Sequence, residues 1–371
     1  MTRVAVTGGA GFIGRKLVDG LVAQGHGVRV LDNMDAQAHP DGGLGSLTSE
    51  AELVMGDVRD SEAVDRMLED VEVVFHLAAM VGNGQSMYEI RRYIDVNAGG
   101  TAVLLERVLA RRDQVRRLIV ASSMVVYGEG AYRCPACGVV APSLRDADAL
   151  SARRWEVTCP RCGGPVEGVP TPEDHPLKPA SPYAISKRDA EELILTAGHA
   201  HGLETVALRY LNVYGPGQAL SNPYTGVAAI FCTRLLHNQP PLIFEDGQQR
   251  RDLVHVSDVV RATLLAMDAP KAAGLPINIG TGTSITVAAL ARELASALGR
   301  AVEPVVSGEF RAGDIRHCWA DVTRAREILG FEAAVDRQAA IQALAAWVSE
   351  ERPEDRTGPA LQELRARGLV R

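Results

Sequence analysis

Near its start the chain carries the stretch Arg3-Val-Ala-Val-Thr-Gly-Gly-Ala-Gly-Phe-Ile-Gly14, in which a short apolar segment runs directly into a turn with four glycines. Apolar residues then recur at helical spacing from Phe12 to Val22. A strand, a glycine-rich turn and a helix in this order are typical of a dinucleotide-binding site, although a plain glycine-rich turn has the same composition. Gly8 would make the tight turn, Gly11 would let the backbone approach a pyrophosphate, and Gly14 would let the helix pack on the strand.

Asp32 stands at the end of a second apolar segment, Val28 to Leu31. A carboxylate at this point accepts hydrogen bonds from the ribose hydroxyls of a dinucleotide and repels a 2′-phosphate. Taken alone, Asp32 could be a turn residue. Behind the glycine-rich turn, it predicts NAD rather than NADP as the cofactor.

Three more short apolar segments, at Leu53–Met55, Val71–Phe75 and Arg117–Val120, read as strands, and a long amphipathic segment runs from Ile94 to Leu109. Strands that alternate with helices predict βαβ units, and therefore an α/β fold with a Rossmann-type, doubly wound parallel sheet. Because ligands bind at the carboxyl ends of such strands, we expect the cofactor to contact residues near these ends. The expected cofactor residues in the glycine-rich turn and near the strand ends are Gly8, Gly11, Phe12, Ile13, Gly14, Asp32, Asn33, Asp57, Val58, Leu77, Ala78 and Ala79. Asn97, Tyr183 and Lys187, which lie in helical segments, are also expected to contact the cofactor. His76 is expected to be a structural histidine at a strand end.

Tyr183 and Lys187 lie four residues apart in a segment with helical periodicity, so they share one face of a helix. A phenol ionises near pH 10, and an ammonium beside it favours the phenolate and lowers this pKa. Tyr183 could then act as a general base, and Ser123, at the end of the fifth strand, could share the substrate's proton. The same spacing also occurs on exposed helices, so the surrounding motifs rather than the spacing support a catalytic role.

Two matched Cys-x-x-Cys pairs interrupt the α/β pattern, and each is followed by a glycine; the cysteines are Cys134, Cys137, Cys159 and Cys162. Four thiolates at this spacing suit a tetrahedral structural zinc that has no open position for catalysis. The alternatives are two disulfides, which a reducing compartment disfavours, or redox-active pairs. We predict a zinc-ribbon-like insert over residues 130–168, beside the mouth of the active site.

Composition bounds the class of protein and its partners. The net charge of −7 over 371 residues argues against nucleic acid as the main partner. Apolar runs are far shorter than the roughly 20 residues needed to cross a bilayer, so no membrane partner is expected. A strand that begins at Arg3 leaves no room for a signal peptide, so we expect a cytoplasmic protein.

The predicted organisation is an NAD-binding domain over residues 1–210, a substrate lobe over 211–350, and a charged, partly mobile tail over 351–371. The strand-like segment Pro276–Gly280 is assigned to the second lobe. Arg251 and Arg311 in that lobe could clamp a diphosphate, because guanidinium groups pair bidentately with phosphate oxygens. Alternatively, they are surface arginines that pair with local carboxylates.

Several motifs together resemble the extended short-chain dehydrogenase/reductases that act on nucleotide sugars. They are T-G-G-A-G-F-I-G at 7–14, S-S-M-V-V-Y-G at 122–128, Y-A-I-S-K at 183–187, R-Y-L-N-V-Y-G-P-G at 209–217 and R-R-D-L-V-H-V-S-D at 250–258. The resemblance implies a smaller nucleotide-sugar lobe and a homodimer formed through two long helices. It also implies a catalytic triad of Ser123, Tyr183 and Lys187, and substrate contacts from Ser123, Asn212, Arg251, Arg311 and Asp314.

Within this family the chain resembles the NAD-dependent 4-epimerases, which oxidise C4 of a dTDP- or UDP-sugar transiently and return the hydride from a tightly bound NAD. Its cysteine insert and the segment Asn222–Gly226 resemble the subgroup that includes dTDP-L-rhamnose 4-epimerase. The related 4,6-dehydratases carry two acidic residues where this chain has Met124 and Val125. The 4-ketoreductases usually use NADPH, which Asp32 disfavours. The non-enzymatic alternative is an inactive nucleotide-sugar-binding protein with a zinc-ribbon interaction module.

Overall fold

The computed structural model describes residues 1–39, 47–224 and 226–371. Its strands are β1 (Arg3–Thr7), β2 (Gly27–Asp32), β3 (Glu52–Met55), β4 (Val73–His76), β5 (Arg117–Ser123), β6 (Tyr132–Cys134), β7 (Gly138–Val140), β8 (Glu167–Gly168), β9 (Glu204–Tyr210), β10 (Asn212–Tyr214), β11 (Leu242–Ile243), β12 (Arg250–Arg251), β13 (Leu253–His255), β14 (Leu275–Ile279), β15 (Ile285–Thr286), β16 (Val305–Val306) and β17 (His317–Cys318).

The helices are α1 (Phe12–Ala23), α2 (Ser61–Met67), α3 (Asn83–Ser86), α4 (Ile90–Tyr93), α5 (Gly100–Leu109), α6 (Ala147–Ser151), α7 (Pro182–His201), α8 (Val227–Leu236), α9 (Val256–Asp268), α10 (Val287–Ala297), α11 (Thr323–Leu329), α12 (Arg337–Glu350) and α13 (Thr357–Ala366). Short 3-10 turns follow β5 and α9, at Met124–Tyr127 and Pro270–Ala272.

A seven-stranded parallel sheet in the order β14-β9-β5-β4-β1-β2-β3 forms the centre of the molecule. Both faces are covered by helices: α1 packs with α9 on one face, and α2, α5 and α7 pack on the other. Alternation along β1 shows how the sheet is shared, because Val4 and Val6 belong to the first apolar core and Ala5 to the second. This confirms the predicted doubly wound α/β fold.

The strand predicted at Pro276–Gly280 belongs to this large sheet, which corrects its assignment to the second lobe. It forms β14 and pairs in parallel with β9, with Ile279 opposite Tyr210. The helix α9 likewise packs on α1 of the first lobe. The chain therefore returns to the first lobe beyond residue 210. An isolated strand pattern could not reveal this, because it does not say which neighbour the strand pairs with.

The second lobe consists of small two- and three-stranded sheets and the helices α8, α10 and α12. Its core includes Phe231, Leu235, Leu290 and Leu344, all buried. The C-terminal segment was predicted to be partly mobile, but it forms α13 and then bridges back to the lobe through Val370 and Arg311. Buried Leu364 and Val370 hold it in place. Two apolar residues in a charged segment are too few to form a recognisable hydrophobic pattern in the sequence.

The amphipathic segment 94–109 forms a helical unit with an irregular start. Ile94–Gly99 is π-helical and joins α4 to α5, and Asn97 is buried inside this turn. Such a turn widens the helix by one residue and is common near functional sites. Within the parts of the chain that the structure describes, no helix is both long and apolar enough to cross a membrane.

Candidate active site

A cleft with a cavity volume of about 550 Å³ lies at the carboxyl ends of the parallel strands. Its walls include every residue predicted from sequence to contact the cofactor except Asn97; those residues are Gly8, Gly11, Phe12, Ile13, Gly14, Asp32, Asn33, Asp57, Val58, Leu77, Ala78, Ala79, Tyr183 and Lys187. Asn97 lies behind the wall, where its Oδ1 accepts from Met80 N at 2.7 Å and its Nδ2 donates to Ser186 Oγ at 2.9 Å. Asn97 therefore positions the wall from behind and does not line the cavity.

The glycines of the first loop leave a cradle that a side chain would fill. Gly8 has a φ of +68°, and a Cβ there would lie 2.7 Å from Ala78 N. A Cβ on Gly14 would lie 2.1 Å from Gly8 O. The first turn of α1 contains no acidic residue and its N-cap, Gly11, has no side chain, so backbone N–H groups face the cavity. This arrangement could hold a pyrophosphate.

The Asp32 carboxylate is held ready to accept hydrogen bonds. Burial alone would raise its pKa, but hydrogen bonds from His39 and from the backbone N–H groups of Met34 and Ala10 outweigh burial and lower the pKa below its usual value. The His39 Nε2 lies 3.4 Å from Asp32 Oδ1. No spacing in the sequence indicates His39, because it lies in an irregular segment after β2.

Asp57 is already engaged by a neighbour. Arg59 binds it bidentately, through Nε and Nη2 at 2.8 Å each, and Asn33 Nδ2 donates at 3.0 Å. The hydrogen bond from Arg59 is the main reason that the pKa of Asp57 falls to about 2. Asp57 thus lies in the cavity wall as an anion whose geometry Arg59 fixes.

Tyr183 and Lys187 share one buried face at the start of α7, as predicted. Ser181 caps this helix, with its Oγ accepting from Ala184 N at 3.1 Å, and Pro182 occupies the first turn. Tyr183 hydrogen-bonds to Ser123 at the end of β5. The structure therefore brings Ser123, Tyr183 and Lys187 together at one end of the cleft.

The sequence predicts that the pKa of Tyr183 falls, but the protein's own groups raise it, so this prediction is wrong. Burial raises the pKa of Tyr183 to about 12, and the hydrogen bond with Ser123 offsets only part of this rise. Burial also lowers the pKa of Lys187 to about 8, although the charge of Glu191 opposes the change. Both shifts have the same cause, since a dry environment disfavours the charged form of each group.

His76 is a structural residue, as expected. Its Nδ1 lies 2.8 Å from Thr7 Oγ1 and its Nε2 lies 2.9 Å from Thr101 Oγ1, so both ring nitrogens are used. Burial lowers the pKa of His76 to about 3, which keeps the imidazole neutral.

Glu191, one turn beyond Lys187, anchors the catalytic face of α7 to the sheet. Its carboxylate accepts from Ser122 Oγ at 2.6 Å and from Arg209 Nη2 at 2.5 Å, and the side chains of Glu191 and Arg209 are almost fully buried. The residue was missed from sequence, although its spacing of four from Lys187 places it on the same helix face. It fixes the neighbour of Ser123 on β5 relative to α7.

A second cavity, of about 280 Å³, opens from the first, and residues such as Met124, Val125 and Asn212 line both. The Oδ1 atom of Asn212 is a buried acceptor without a hydrogen-bond partner among the described residues. Buried acceptors are usually satisfied, so this atom points to a ligand in the cleft. Met124 and Val125 place two apolar side chains next to Ser123.

Arg251, Arg311 and Asp314 meet in the wall of the second cavity. Arg311 Nη2 donates to Asp314 Oδ2 at 2.7 Å, and Arg251 Nη2 lies 3.4 Å from Asp314 Oδ1. Burial would raise the pKa of Asp314, but the two guanidinium groups outweigh it and lower the pKa. The trio keeps one net positive charge beside the cavity. The C-terminal helix, which sequence did not suggest as part of the site, adds Thr357, Ala360, Leu361 and Leu364 to this wall.

The four cysteines of the insert come together in the structure. Their sulfur atoms lie within 4.8 Å of one another, and the sulfurs of Cys134 and Cys162 are 3.6 Å apart. Gly138 and Gly163, which follow the two pairs, have φ of +75° and +72°, so the backbone turns as only glycine readily allows. The donor set fits a tetrahedral ion that prefers sulfur ligands.

Comparison with known proteins identifies the protein family that this chain matches. The family described as NAD dependent epimerase/dehydratase matches residues 4–141 and 160–280. A dTDP-L-rhamnose 4-epimerase of Burkholderia thailandensis is 33% identical over 353 residues, covering 94% of this chain and 95% of that protein.

Two solved structures share the fold. The UDP-glucose 4-epimerase of Thermotoga maritima, solved with UDP-glucose, is 33% identical in sequence and has a TM-score of 0.76. The match covers 93% of this chain and 98% of the Thermotoga chain. The UDP-glucose 4-epimerase of Thermus thermophilus, solved in complex with NAD, is 28% identical, covers 95% of this chain and 100% of its own, and has a TM-score of 0.72.

The anchoring of α7 yields a test by stability. Glu191→Leu should lower the free energy of unfolding by about 3–5 kcal/mol, because Arg209 then keeps a buried charge without its partner. The double variant Glu191→Leu/Arg209→Leu should lose less than the single one, since it removes both charges. Denaturant titration measures both values. The control is Glu327→Leu, at an exposed glutamate of α11, which should change stability by less than about 0.5 kcal/mol. Equal losses in the single and double variants would contradict the role assigned to this pair.

Proposed function

The chain belongs to the NAD-dependent epimerase/dehydratase family, a family of enzymes, and from this premise we propose that it is a nucleotide-sugar 4-epimerase. One observation carries the choice within the family: a complete Ser123–Tyr183–Lys187 group lies beside Met124 and Val125. The group can move the proton that accompanies oxidation at C4. The two apolar side chains cannot move the second proton that elimination of water would require, so a 4,6-dehydratase is disfavoured.

The cofactor would lie in the larger cavity. The backbone N–H groups at the start of α1 would hold the pyrophosphate of NAD, and the Asp32 carboxylate would accept from the adenosine ribose. A 2′-phosphate would be repelled by the same carboxylate, which also disfavours an NADPH-dependent ketoreductase. The remaining predicted residues, such as Val58, Ala78 and Ala79, would contribute apolar walls.

The chemistry that NAD supplies when bound is reversible hydride transfer at C4 of the sugar, which inverts this carbon when the hydride returns to the opposite face. The oxygen of Tyr183 takes the proton of the 4-hydroxyl and later gives it back. Ser123 donates a hydrogen bond to the phenolate, which is the contact that lowers the pKa of Tyr183 against burial. Lys187 places its ammonium on the same buried helix face, where a positive charge favours the phenolate.

The substrate would lie in the smaller cavity, with its diphosphate facing Arg251 and Arg311. Asn212 would satisfy its buried Oδ1 with a sugar or ribose hydroxyl. Asp314, expected from sequence to contact the substrate, would act through the arginines, because its carboxylate orients both guanidinium groups and would itself repel a diphosphate. The proposed substrate is a dTDP- or UDP-sugar.

We also propose a homodimer built from the helices after Tyr88 and after Tyr183. α4 packs on α7, and this region exposes Ile90, Ile185 and Leu193 to solvent in the single chain. Pairing of two such surfaces would form a four-helix interface. Light scattering at micromolar concentration should give twice the chain mass, and Leu193→Arg should shift the mass toward that of one chain. A single-chain mass for the unaltered protein would refute the dimer.

A structural zinc ion is proposed at Cys134, Cys137, Cys159 and Cys162. Elemental analysis of the purified protein should find one zinc per chain. The double variant Cys134→Ser/Cys137→Ser should lose it, because two of its four ligands then lack a thiolate. Cys232→Ala, which alters a buried cysteine outside the group, should keep the ion. The absence of stoichiometric zinc from the unaltered protein would refute the site.

The reaction itself is tested with a panel of dTDP- and UDP-sugars, followed by NMR without added cofactor. A substrate should interconvert with its C4 epimer, and deuterium at C4 should be retained because the same hydride is removed and returned. Tyr183→Phe should lower turnover by about 10²–10⁴-fold or more and keep its NAD, since only the proton acceptor is lost. Tyr93→Phe, which removes a buried phenol hydroxyl outside the cavity walls, is the control and should stay active.

Two outcomes would count against the epimerase. Loss of the deuterium to solvent would mean that the hydride is not returned by one bound cofactor. A product lighter by one water would indicate a dehydratase, despite Met124 and Val125.

A further inference from the structure

The cysteine insert is connected to the second lobe by a buried arginine. Arg145 lies between the two cysteine pairs, and its side chain is 4% exposed. Its Nη1 donates to Glu245 Oε2 at 2.8 Å and to Trp155 O at 2.9 Å, and its Nη2 donates to Asp314 O at 3.3 Å. One guanidinium group thus joins the insert to the segment that carries Asp314.

A second connection runs through Glu156, three residues before the second cysteine pair. It accepts from Arg316 Nε at 3.0 Å, and Arg316 is completely buried. Arg316 Nη1 also donates to Glu245 Oε2 at 3.0 Å, so Arg145 and Arg316 share one carboxylate. Glu129, just before the insert, accepts from the backbone N–H of Arg316 at 2.9 Å. Residues 314–316 are therefore held from the insert side by several charged groups.

The same three residues hold the arginine of the substrate cavity. Arg251 Nη1 donates to Arg316 O at 2.9 Å, and its Nη2 donates to Ile315 O at 2.7 Å. Asp314 pairs with both Arg251 and Arg311. The position of the two guanidinium groups therefore depends on where the backbone of 314–316 lies.

The insert has little apolar core with which to hold Arg145 in place. Its buried cluster is small and consists of Tyr132, Cys134, Val140, Val157 and Cys159. Between the cysteine pairs, the structure has only the three-residue strand β7 and the five-residue helix α6. A core of this size usually needs a metal or disulfide to stay folded. The cysteine group is thus what can fix the Arg145 segment.

We propose that the cysteine insert is a brace for the diphosphate site, in which Arg145 is the positioning residue. Arg145 holds Asp314–Arg316, and this segment sets the geometry of Arg251 and Arg311. The inference rests on the proposed nucleotide-sugar substrate. Residues 130–168 are absent from the walls of both described cavities, so the insert acts on substrate affinity indirectly and leaves NAD binding alone.

The test measures the binding of UDP and dTDP by calorimetry to the purified holoprotein. Arg145→Ala should weaken nucleoside diphosphate binding by about tenfold or more, because it removes charge-assisted hydrogen bonds that orient the clamp. Its NAD and zinc contents should match those of the unaltered protein. Arg145→Lys should recover part of the affinity, since it keeps the charge but not the forked geometry.

Two further measurements distinguish a role of the insert in positioning the arginines from a general loss of structure. With a nucleotide sugar that the enzyme converts, Arg145→Ala should raise KM and leave kcat nearly unchanged. This is expected when the lost contacts stabilise the bound substrate and the transition state equally. Removal of zinc with a chelator should lower UDP or dTDP affinity by a similar factor while NAD stays bound. Arg154→Ala, at an exposed arginine of the same insert, is the matched control and should bind like the unaltered protein.

Each result decides one statement. Unchanged nucleotide affinity in Arg145→Ala would overturn the brace, and so would a loss of NAD together with the nucleotide, or equal losses of affinity in Arg145→Ala and Arg154→Ala. If the unaltered protein binds neither UDP nor dTDP, the proposed substrate class fails, and the inference fails with it.

Discussion

The pairing of Glu191 with Arg209 is the constraint on which the active site depends. Tyr183 and Lys187 lie on α7, whereas Ser123 lies on β5, and the two elements are far apart in sequence. Glu191 ties them together because one carboxylate accepts from Ser122 on β5 and from Arg209 on the adjacent strand β9. A buried ion pair of this kind adds little net stability, but it has one low-energy geometry. That geometry keeps the phenol of Tyr183, the ammonium of Lys187 and the hydroxyl of Ser123 in the wall of one cavity, where Tyr183 and Lys187 are buried.

The exclusion of water from the site makes ionisation of the catalytic groups less favourable. The burial that brings Tyr183 and Lys187 together also disfavours the charged form of each, so the pKa of the phenol rises and that of the amine falls. The Ser123 hydrogen bond works against this rise. The phenolate of the proposed base is therefore strongly basic but little populated, and positive charge in the cleft would favour this phenolate, which is the form that can accept a proton. This fits a reaction in which the proton is returned in the same cycle.

The chain passes between the two lobes more than once, and these crossings shape the smaller cavity. β14 and α9 return to the first lobe after the chain has entered the second, so the two lobes are held together by covalent connections as well as by contacts. The C-terminal helix then covers the smaller cavity, and the cysteine insert supports its arginines through Arg145. Elements remote in sequence thus converge on the segment Arg311–Arg316. In the proposed function, the dinucleotide and the phosphorylated sugar are bound by different parts of the chain.

The sequence by itself determined the elements whose cause is local. The glycine spacing at 8–14, the carboxylate at Asp32, the Tyr183–Lys187 spacing and the paired cysteines each follow from backbone geometry or ligand chemistry within a few residues, and the fold class follows from strands alternating with helices. The tertiary structure alone decided that β14 joins the large sheet, that Asn97 lies behind the cavity wall, that residues 357–371 are packed, and that His39, Glu191 and Arg145 serve the sites. Each of these depends on contacts between distant segments. A local pattern specifies which face of an element is buried, but the partner that covers it is selected only when the whole chain packs.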